Sequence, residues 1–182
     1  MMKALAVLAT HAALLVAGCS SSSDQPKKAP FPAPASFATD EPAIGNHIVY
    51  LRGRSESPGA ERVVLDVVAQ GAGPSVHGAA FRLSWDTAKL AFVEAHVGAV
   101  WSKQAVALAK EGLPGELVVV WSEKGNSPGV DASGETVLGS IDFRLKTGEA
   151  STLAFRPDRS TLRDRDGAPV TVEWRGGRIA PR

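Results

Sequence analysis

From about residue 46 onward, apolar side chains recur at every second position. Val63, Leu65, Val67 and Ala69 fall in one phase, with Arg62, Val64, Asp66 and Val68 in the other. Phe81, Leu83 and Trp85 alternate with Ala80, Arg82 and Ser84, and Leu117, Val119 and Trp121 with Val118 and Val120. Ile141, Phe143 and Leu145 alternate with Asp142, Arg144 and Lys146, and Val170, Val172 and Trp174 with Thr171, Glu173 and Arg175. A helix repeats its faces every 3.6 residues, whereas neighbouring side chains of a strand point to opposite sides. The pattern therefore demands strands with one buried face.

Turn chemistry separates these runs: Ser57-Pro58-Gly59, Gly71-Ala72-Gly73-Pro74, Leu113-Pro114-Gly115, Asn126-Ser127-Pro128-Gly129, Thr147-Gly148-Glu149 and Asp166-Gly167. Short strands spaced by such turns predict an all-β sandwich or barrel. Residues 101–111 hold several helix formers. Ala105, Ala107 and Ala109 nevertheless alternate with Val106 and Leu108, and a Pro-Gly turn follows, which favours a hairpin over a short helix. With 182 residues and 44% hydrophobic content, the chain has room for one domain with a packed core. Cys19 is the only cysteine, so no intrachain disulfide contributes.

The N-terminus has a different character. Lys3 precedes an apolar run from Ala4 to Val16, interrupted by Thr10 and His11. A stable bilayer span needs about 20 residues, so the run fits the core of a secretion signal. Leu15-Val16-Ala17-Gly18-Cys19 resembles the lipobox of bacterial lipoproteins. That resemblance implies diacylglyceryl addition to the Cys19 thiol, cleavage after Gly18, and palmitate-type acylation of the new amino group. Two or more acyl chains hold a protein stably where one does so marginally. Ser20 after the anchor implies, by the same resemblance, the outer membrane of the cell envelope. Residues 1–18 are thus expected to be the signal peptide. Residues 19–45, dominated by Ser and Pro from Ser20 to Pro42, are expected to be a disordered tether, on which Phe31 and Phe37 are adhesive spots or dock loosely on the domain. The folded domain is expected over 46–182.

Within that domain, the order of strands and turns resembles a cohesin domain, a jelly-roll sandwich shared with family 2 and family 3 carbohydrate-binding modules. The resemblance rests on Arg62–Val68 as an early strand, then His77-Gly78-Ala79-Ala80-Phe81-Arg82-Leu83-Ser84-Trp85-Asp86, and on Thr87–Leu90 as a turn ending in Leu. Gly115-Glu116-Leu117, Val137–Phe143, Leu162–Gly167 and Gly177-Arg178-Ile179 continue it. It implies a sandwich of about nine strands, with Phe81, Leu83 and Trp85 in the core and Asp86 capping a turn. Cohesins grip dockerins, calcium-binding helical modules, largely through one flat sheet face. The related carbohydrate modules use exposed aromatics or a groove, and no planar aromatic strip is evident in this sequence.

Removing residues 1–18 leaves 19 basic and 19 acidic side chains, a balance that argues against nucleic acid as a partner. Arg156, Arg159, Arg163, Arg165, Arg175 and Arg178 are interleaved with Asp158, Asp164, Asp166 and Glu173, which reads as a mixed, solvated surface. No nucleophile elbow, HExxH, phosphate loop or paired-Cys metal site occurs, so no catalytic residue, metal or cofactor is expected. His47, His77 and His96 lie on separate segments. Asp164 and Asp166 lack the EF-hand ligand series and read as a turn. Glu94 with Glu116 or Glu123 is the weakest kind of glycosidase candidate, with nothing to bring the pair together. Trp85, Trp121 and Trp174 are in phase with core positions, while Trp101 falls in a loop and is the candidate surface contact. With Trp101, the outward strand residues Arg82, Ser84, Asp142, Arg144 and Lys146 form the candidate binding face. The reading is a lipid-anchored, non-catalytic binding module for a protein or polysaccharide, with a structural subunit of an envelope or secretion assembly as the alternative.

Overall fold

The computed structural model describes residues 36–40, 45–54 and 61–180. The signal segment, Cys19 and Phe31 lie outside them. The chain forms two β-sheets, and the only helical element among the described residues is a 3₁₀ turn at Pro157–Arg159.

The first sheet is built on the long strand β4 (Gly73–Trp85). On one side of β4 lie β7 (Glu116–Ser122) and then β6 (Val106–Glu111), with the short β8 (Val130–Ala132) beside the start of β4. On its other side β10 (Ser151–Phe155) pairs with the end of β4 and β11 (Thr161–Asp164) with its beginning. Beyond β11 is β12 (Pro169–Val170); beyond β10 come β14 (Gly177–Ala180) and β1 (Ser36–Thr39). The second sheet runs β13 (Glu173–Arg175), β2 (Ile48–Gly53), β3 (Arg62–Gln70), β9 (Glu135–Leu145), β5 (Leu90–Val97). Every pairing is antiparallel except β13 with β2. The described segments exceed the expected nine because pieces such as β8, β12 and β13 have three residues or fewer.

Residues 101–111 do enter a hairpin: β6 pairs with β7 from Val106↔Ser122 to Glu111↔Leu117. Gly115, at φ +78°, makes the return, and a Cβ there would lie 2.6 Å from the Trp85 carbonyl. Residues 36–39, which composition places in the tether, instead form β1 on the edge of the first sheet. Phe37 docks there, between Gly53 and Gly177, each close enough to be struck by its ring or Cβ if it carried a side chain. A Pro-rich context conceals so short a strand, because its pairing partner, Gly177–Ala180, lies at the far end of the chain.

The two sheets face each other through the positions that alternation predicted. Leu65, Val67, Ile141 and Phe143 on the second sheet and Phe81, Leu83, Leu117, Val119 and Trp121 on the first are all at most 2% exposed. Phe81 meets Trp121 edge-on at 5.4 Å and Phe155 at 5.5 Å; Trp85 meets Phe143 at 5.2 Å. Trp174 closes one end, half-buried, 5.1 Å from Phe155. Asp86 caps its turn as expected, its Oδ1 accepting from the Ala88 N–H at 2.9 Å.

One irregularity organises the middle of the core. β3 and β9 are in register at Val67↔Gly139 and again at Val68↔Val137, leaving Leu138 as an extra residue on β9. A bulge takes the odd residue out of the ladder. The freed Leu138 carbonyl accepts from the Gly98 N–H at 2.8 Å and from the indole N–H of Trp101 at 2.8 Å. Next to it, Gly139 presents bare backbone to Trp121: a Cβ there would be 2.4 Å from Cη2 of the indole and 2.5 Å from the His96 carbonyl. Gly139→Ala is therefore expected to destabilise the fold by at least about 2 kcal/mol, the range for overpacking a closed core, read as a lowered midpoint in urea unfolding. An unchanged midpoint would show that the sheets can separate at no cost.

Candidate functional site

The outer face of the first sheet carries the most distinctive surface. Alternation in β4 and β7 turns Ala79, Phe81, Leu83, Leu117, Val119 and Trp121 inward, so their neighbours point out. Cross-strand pairing then lines up rows across four strands. One row is Leu108, Val120, Ala80 and Thr161; another is Val106, Ser122, Gly78 and Arg163; a third is Lys110, Val118 and Arg82. Leu108 and Val106 are 51% and 41% exposed. The floor along β4 is made of very small residues, Gly78 and Ala80, flanked by Val120 and Ser122 on one side and Thr161 and Arg163 on the other. The result is a shallow trough of about 220 Å³ with one apolar wall. At its far end Arg82 pairs with Glu116 at 2.5 Å, and Arg156 approaches the same carboxylate at 3.8 Å.

The outer face of the second sheet is different in kind. It is a lattice of ion pairs: Arg52 with Asp66 and Glu135, Arg54 with Asp66, and Arg62 with Asp142 and Glu94. Tyr50 donates to Glu135 at 2.8 Å. Burial and the acceptor Glu135 push the Tyr50 hydroxyl up to about 12, while the hydrogen bonds from Tyr50 and Arg52 hold the Glu135 carboxyl below its usual range. Glu94, His96 and Asp142 bring ligand atoms within 4.8 Å of one another. Arg62 already bridges both carboxylates, and a guanidinium in that position repels a metal cation, so the group acts as an ion-pair cluster. His47 and His77 do not join His96 there.

These two faces divide the residues that sequence reasoning grouped together. Arg82 and Ser84 lie on β4 of the first sheet, and the Ser84 hydroxyl donates to the Ala154 carbonyl at 3.1 Å. Asp142 and Arg144 lie on β9 of the second sheet, and Lys146 follows it, donating to the Thr87 carbonyl at 2.8 Å. Asp142 is only 6% exposed. The five therefore form no single contact face. Alternation tells inside from outside, but it does not tell which sheet a strand joins. Glu94 and Glu116 are divided in the same way, and Glu123 is buried.

Trp101 is also not a surface contact. It lies in the β5–β6 connection, as expected, but its side chain is 6% exposed and packs in the core. Its indole N–H is used by Leu138. The loop around it is pinned by Glu123, whose carboxylate accepts from the Ser102 N–H at 2.7 Å and the Ser102 hydroxyl. Asp164 and Asp166 form a turn, with Asp164 Oδ1 accepting from the N–H groups of Asp166 and Ala168.

Neither a protein-family model nor a curated protein sequence matches the chain. Solved structures do. The sixth cohesin of scaffoldin B from Acetivibrio cellulolyticus, crystallised with the Cel5 dockerin, aligns with a TM-score of 0.62 at 18% identity, over 76% of this chain and 100% of that one. The fold is that of a cohesin. A type II cohesin from the A. cellulolyticus cellulosome aligns at 0.59 and 14% identity, over 75% of this chain and 95% of its own. A non-cellulosomal cohesin from the archaeon Archaeoglobus fulgidus aligns at 0.55 and 17%, over 73% and 89%. The cohesin-like domain here thus shares an architecture with proteins whose sequences differ at more than four positions in five.

The trough residues Gly78, Ala80, Val118 and Val120 were not singled out from the sequence. A signal existed: β7 runs Leu117-Val118-Val119-Val120-Trp121 without a polar residue, so its outer side is apolar too.

Burial raises the Glu123 carboxyl, but hydrogen bonds from Ser102 and Ser127 and the nearby His77 outweigh it, leaving Glu123 below the ordinary range. A depressed carboxyl stabilises the fold above its unfolded-state pKa, and that contribution is lost as pH falls through the folded value. The stability gap between wild type and Glu123→Gln is therefore expected to be open at pH 7 and to narrow as pH falls through and below the ordinary carboxylate range, measured by thermal unfolding across pH. A gap independent of pH would show that the charge is not what holds the loop.

Proposed function

We propose that this chain is a non-catalytic, protein-binding module, held at the cell envelope by lipid on Cys19, that docks its partner on the outer face of β6, β7, β4 and β11. The observation that carries the reading is the surface itself. A flat face with small residues in the middle and exposed valine and leucine beside them is unusual for a water-facing sheet, where polar residues normally alternate outward. It fits the anatomy of an interface core, which is apolar and depleted in charge, with Arg82, Glu116 and Arg156 as a polar rim.

Two further points support a protein partner over a polysaccharide. Several similar cohesins were crystallised with a dockerin bound. Every aromatic side chain among the described residues is buried or half-buried, packed into or against a hydrophobic cluster, leaving no stacking platform for sugar rings there. The envelope location rests on the lipobox-like Leu15–Cys19 and on Ser20, with the outer membrane as the proposed site. The intervening Ser/Pro-rich residues act as a spacer from the bilayer.

Two experiments test the parts separately. A Cys19→Ala variant is expected to incorporate no labelled palmitate in cells, whereas equal labelling of both forms removes the anchor from the account. For the face, immobilised full-length chain is offered a panel of dockerin modules, envelope proteins and, in parallel, a glycan array. Ala80→Trp, which fills the trough floor at a half-exposed position, is expected to abolish protein capture without lowering the melting temperature appreciably. Glycan binding that survives Ala80→Trp, with no protein captured, would overturn the reading.

A further inference from the structure

The large apolar side chains that water still reaches are gathered on one flank of the sandwich. Among the described residues these are Val93, Val97, Val100, Val106, Leu108 and Leu113, all between residues 93 and 113. They belong to β5, to β6 and to the turns that follow those strands. β5 ends the second sheet and β6 ends an arm of the first, so this is a flank where both sheets stop. Open strand edges are normally defended by a bulge, a proline, short length or a covering segment. β5 is bulged, its register with β9 shifting between Phe92 and Glu94. Elsewhere β12 begins with Pro169 and β13 has three residues. β6 has no such defence: it is six residues long, lacks proline, and keeps an unbroken register with β7.

The ladder shows which backbone groups are open. The Gly112 N–H donates to the Glu116 carbonyl at 3.0 Å, which sets the phase of the β6–β7 pairing. Bonded and non-bonded pairs alternate along an antiparallel ladder. Val106, Leu108 and Lys110 therefore turn their N–H and C=O groups to β7, and those of Ala107, Ala109 and Glu111 point off the edge. Among the described residues no strand pairs with β6 on that side. Lys103, Lys110 and Glu111 form no ion pair among the described residues either; the Glu111 carboxylate accepts from the Gly115 N–H at 3.1 Å.

We propose that β6 pairs antiparallel with β6 of a second copy of this chain, about a two-fold axis through Leu108. Ala107 of each copy then exchanges both backbone bonds with Ala109 of the other. Leu108 meets Leu108 at the closer, non-bonded position, where Cα atoms stand about 4.5 Å apart. Val106 faces the stem of Lys110, and no like charges are opposed. Glu111 extends past the start of the other β6 towards Lys103, a charge of opposite sign, and the axis repeats this contact. The sequence selects that axis. One at Ala107 would pair fewer strand residues, because the chain turns at Ser102–Ala105. One at Ala109 would set both leucines against Lys110, and one at Lys110 would set that lysine against itself. Such an interface is self-complementary, as a two-fold dimer requires. The axis stands perpendicular to the sheet, so the two first sheets join and their outer faces look the same way. The inference does not depend on what those faces bind.

The test uses the full-length chain in mild detergent, with Cys19→Ala so that no native thiol remains. Sedimentation equilibrium is expected to show a concentration-dependent dimer. Ala109→Pro removes an N–H that points off the edge and spares those bonded to β7. Leu108→Lys replaces the central apolar pair with two like charges. Each is expected to weaken the dimer at least about tenfold while the β-type circular dichroism stays unchanged; if Ala109→Pro loses that signal, Leu108→Lys decides. Under oxidation Leu108→Cys is expected to cross-link two copies, since the Cα approach suits a disulfide, whereas Val97→Cys on β5 is expected to stay uncross-linked. A monomer at every concentration, or a dimer that survives Leu108→Lys, overturns the inference. Cross-linking at position 97 and not at 108 moves the contact to β5 and overturns it too. Phosphatidylethanolamine–phosphatidylglycerol vesicles that bind the monomer and release Leu108→Lys would assign the flank to a membrane, which also overturns it.

Discussion

The sandwich closes on the contact between the Trp121 indole and the bare backbone of Gly139. Trp121 reaches from the first sheet fully across the interior, with Phe81 edge-on beside it, and its ring edge rests where any larger residue would have a Cβ. This fixes the separation of the sheets at that point. The bulge at Leu138 serves the same place. It releases a carbonyl that draws in Gly98 and Trp101, and these carry the chain from β5 in the second sheet towards β6 in the first. The connection then comes under the hold of Glu123 through Ser102. A single missing side chain and a single extra residue thus determine how β5, β6 and β7 meet, and β6 and β7 build the exposed half of the candidate docking face.

What the alternation encoded is the inward set, and the buried side chains of β3, β4, β7 and β9 follow it closely. It could not encode which strands share a sheet, because that depends on pairing between segments far apart in the chain. Arg82 and Asp142 look alike in sequence, each a charged residue between two aromatic or aliphatic ones, yet they end on opposite sides of the molecule. Trp101 shows a second limit. Its neighbours lack periodicity, which correctly predicts a loop, but a loop can fold its side chain inward when a carbonyl is waiting to accept the indole N–H. The bulge that supplies that carbonyl leaves no mark in the local sequence.

The candidate face was hidden for a related reason. Glycine, alanine and valine at outward positions carry no chemistry that a motif search registers. They become informative only when pairing sets them side by side, where small residues make a floor and valines make a wall. The contrast with the second sheet sharpens the point. There the outward positions hold arginines and acids that satisfy one another, and Asp66 and Asp142 are buried beneath their partners. Such a surface is self-sufficient, and burying it under a partner would cost the desolvation of charges that are already paired. The first sheet instead leaves apolar area exposed on its outer face, at Val106 and Leu108.

The placement of β1 has a mechanical consequence. It lies on the outermost edge of the first sheet, antiparallel to β14, with Ser36 opposite Ala180. A load entering the chain at Ser36 would meet this corner first, at the four-residue β1–β14 ladder. Losing the strand would lift Phe37 off Gly53 and Gly177 while Trp121 stays seated four strands inward. Four residues of edge pairing thus stand between a load entering at Ser36 and the packed interior.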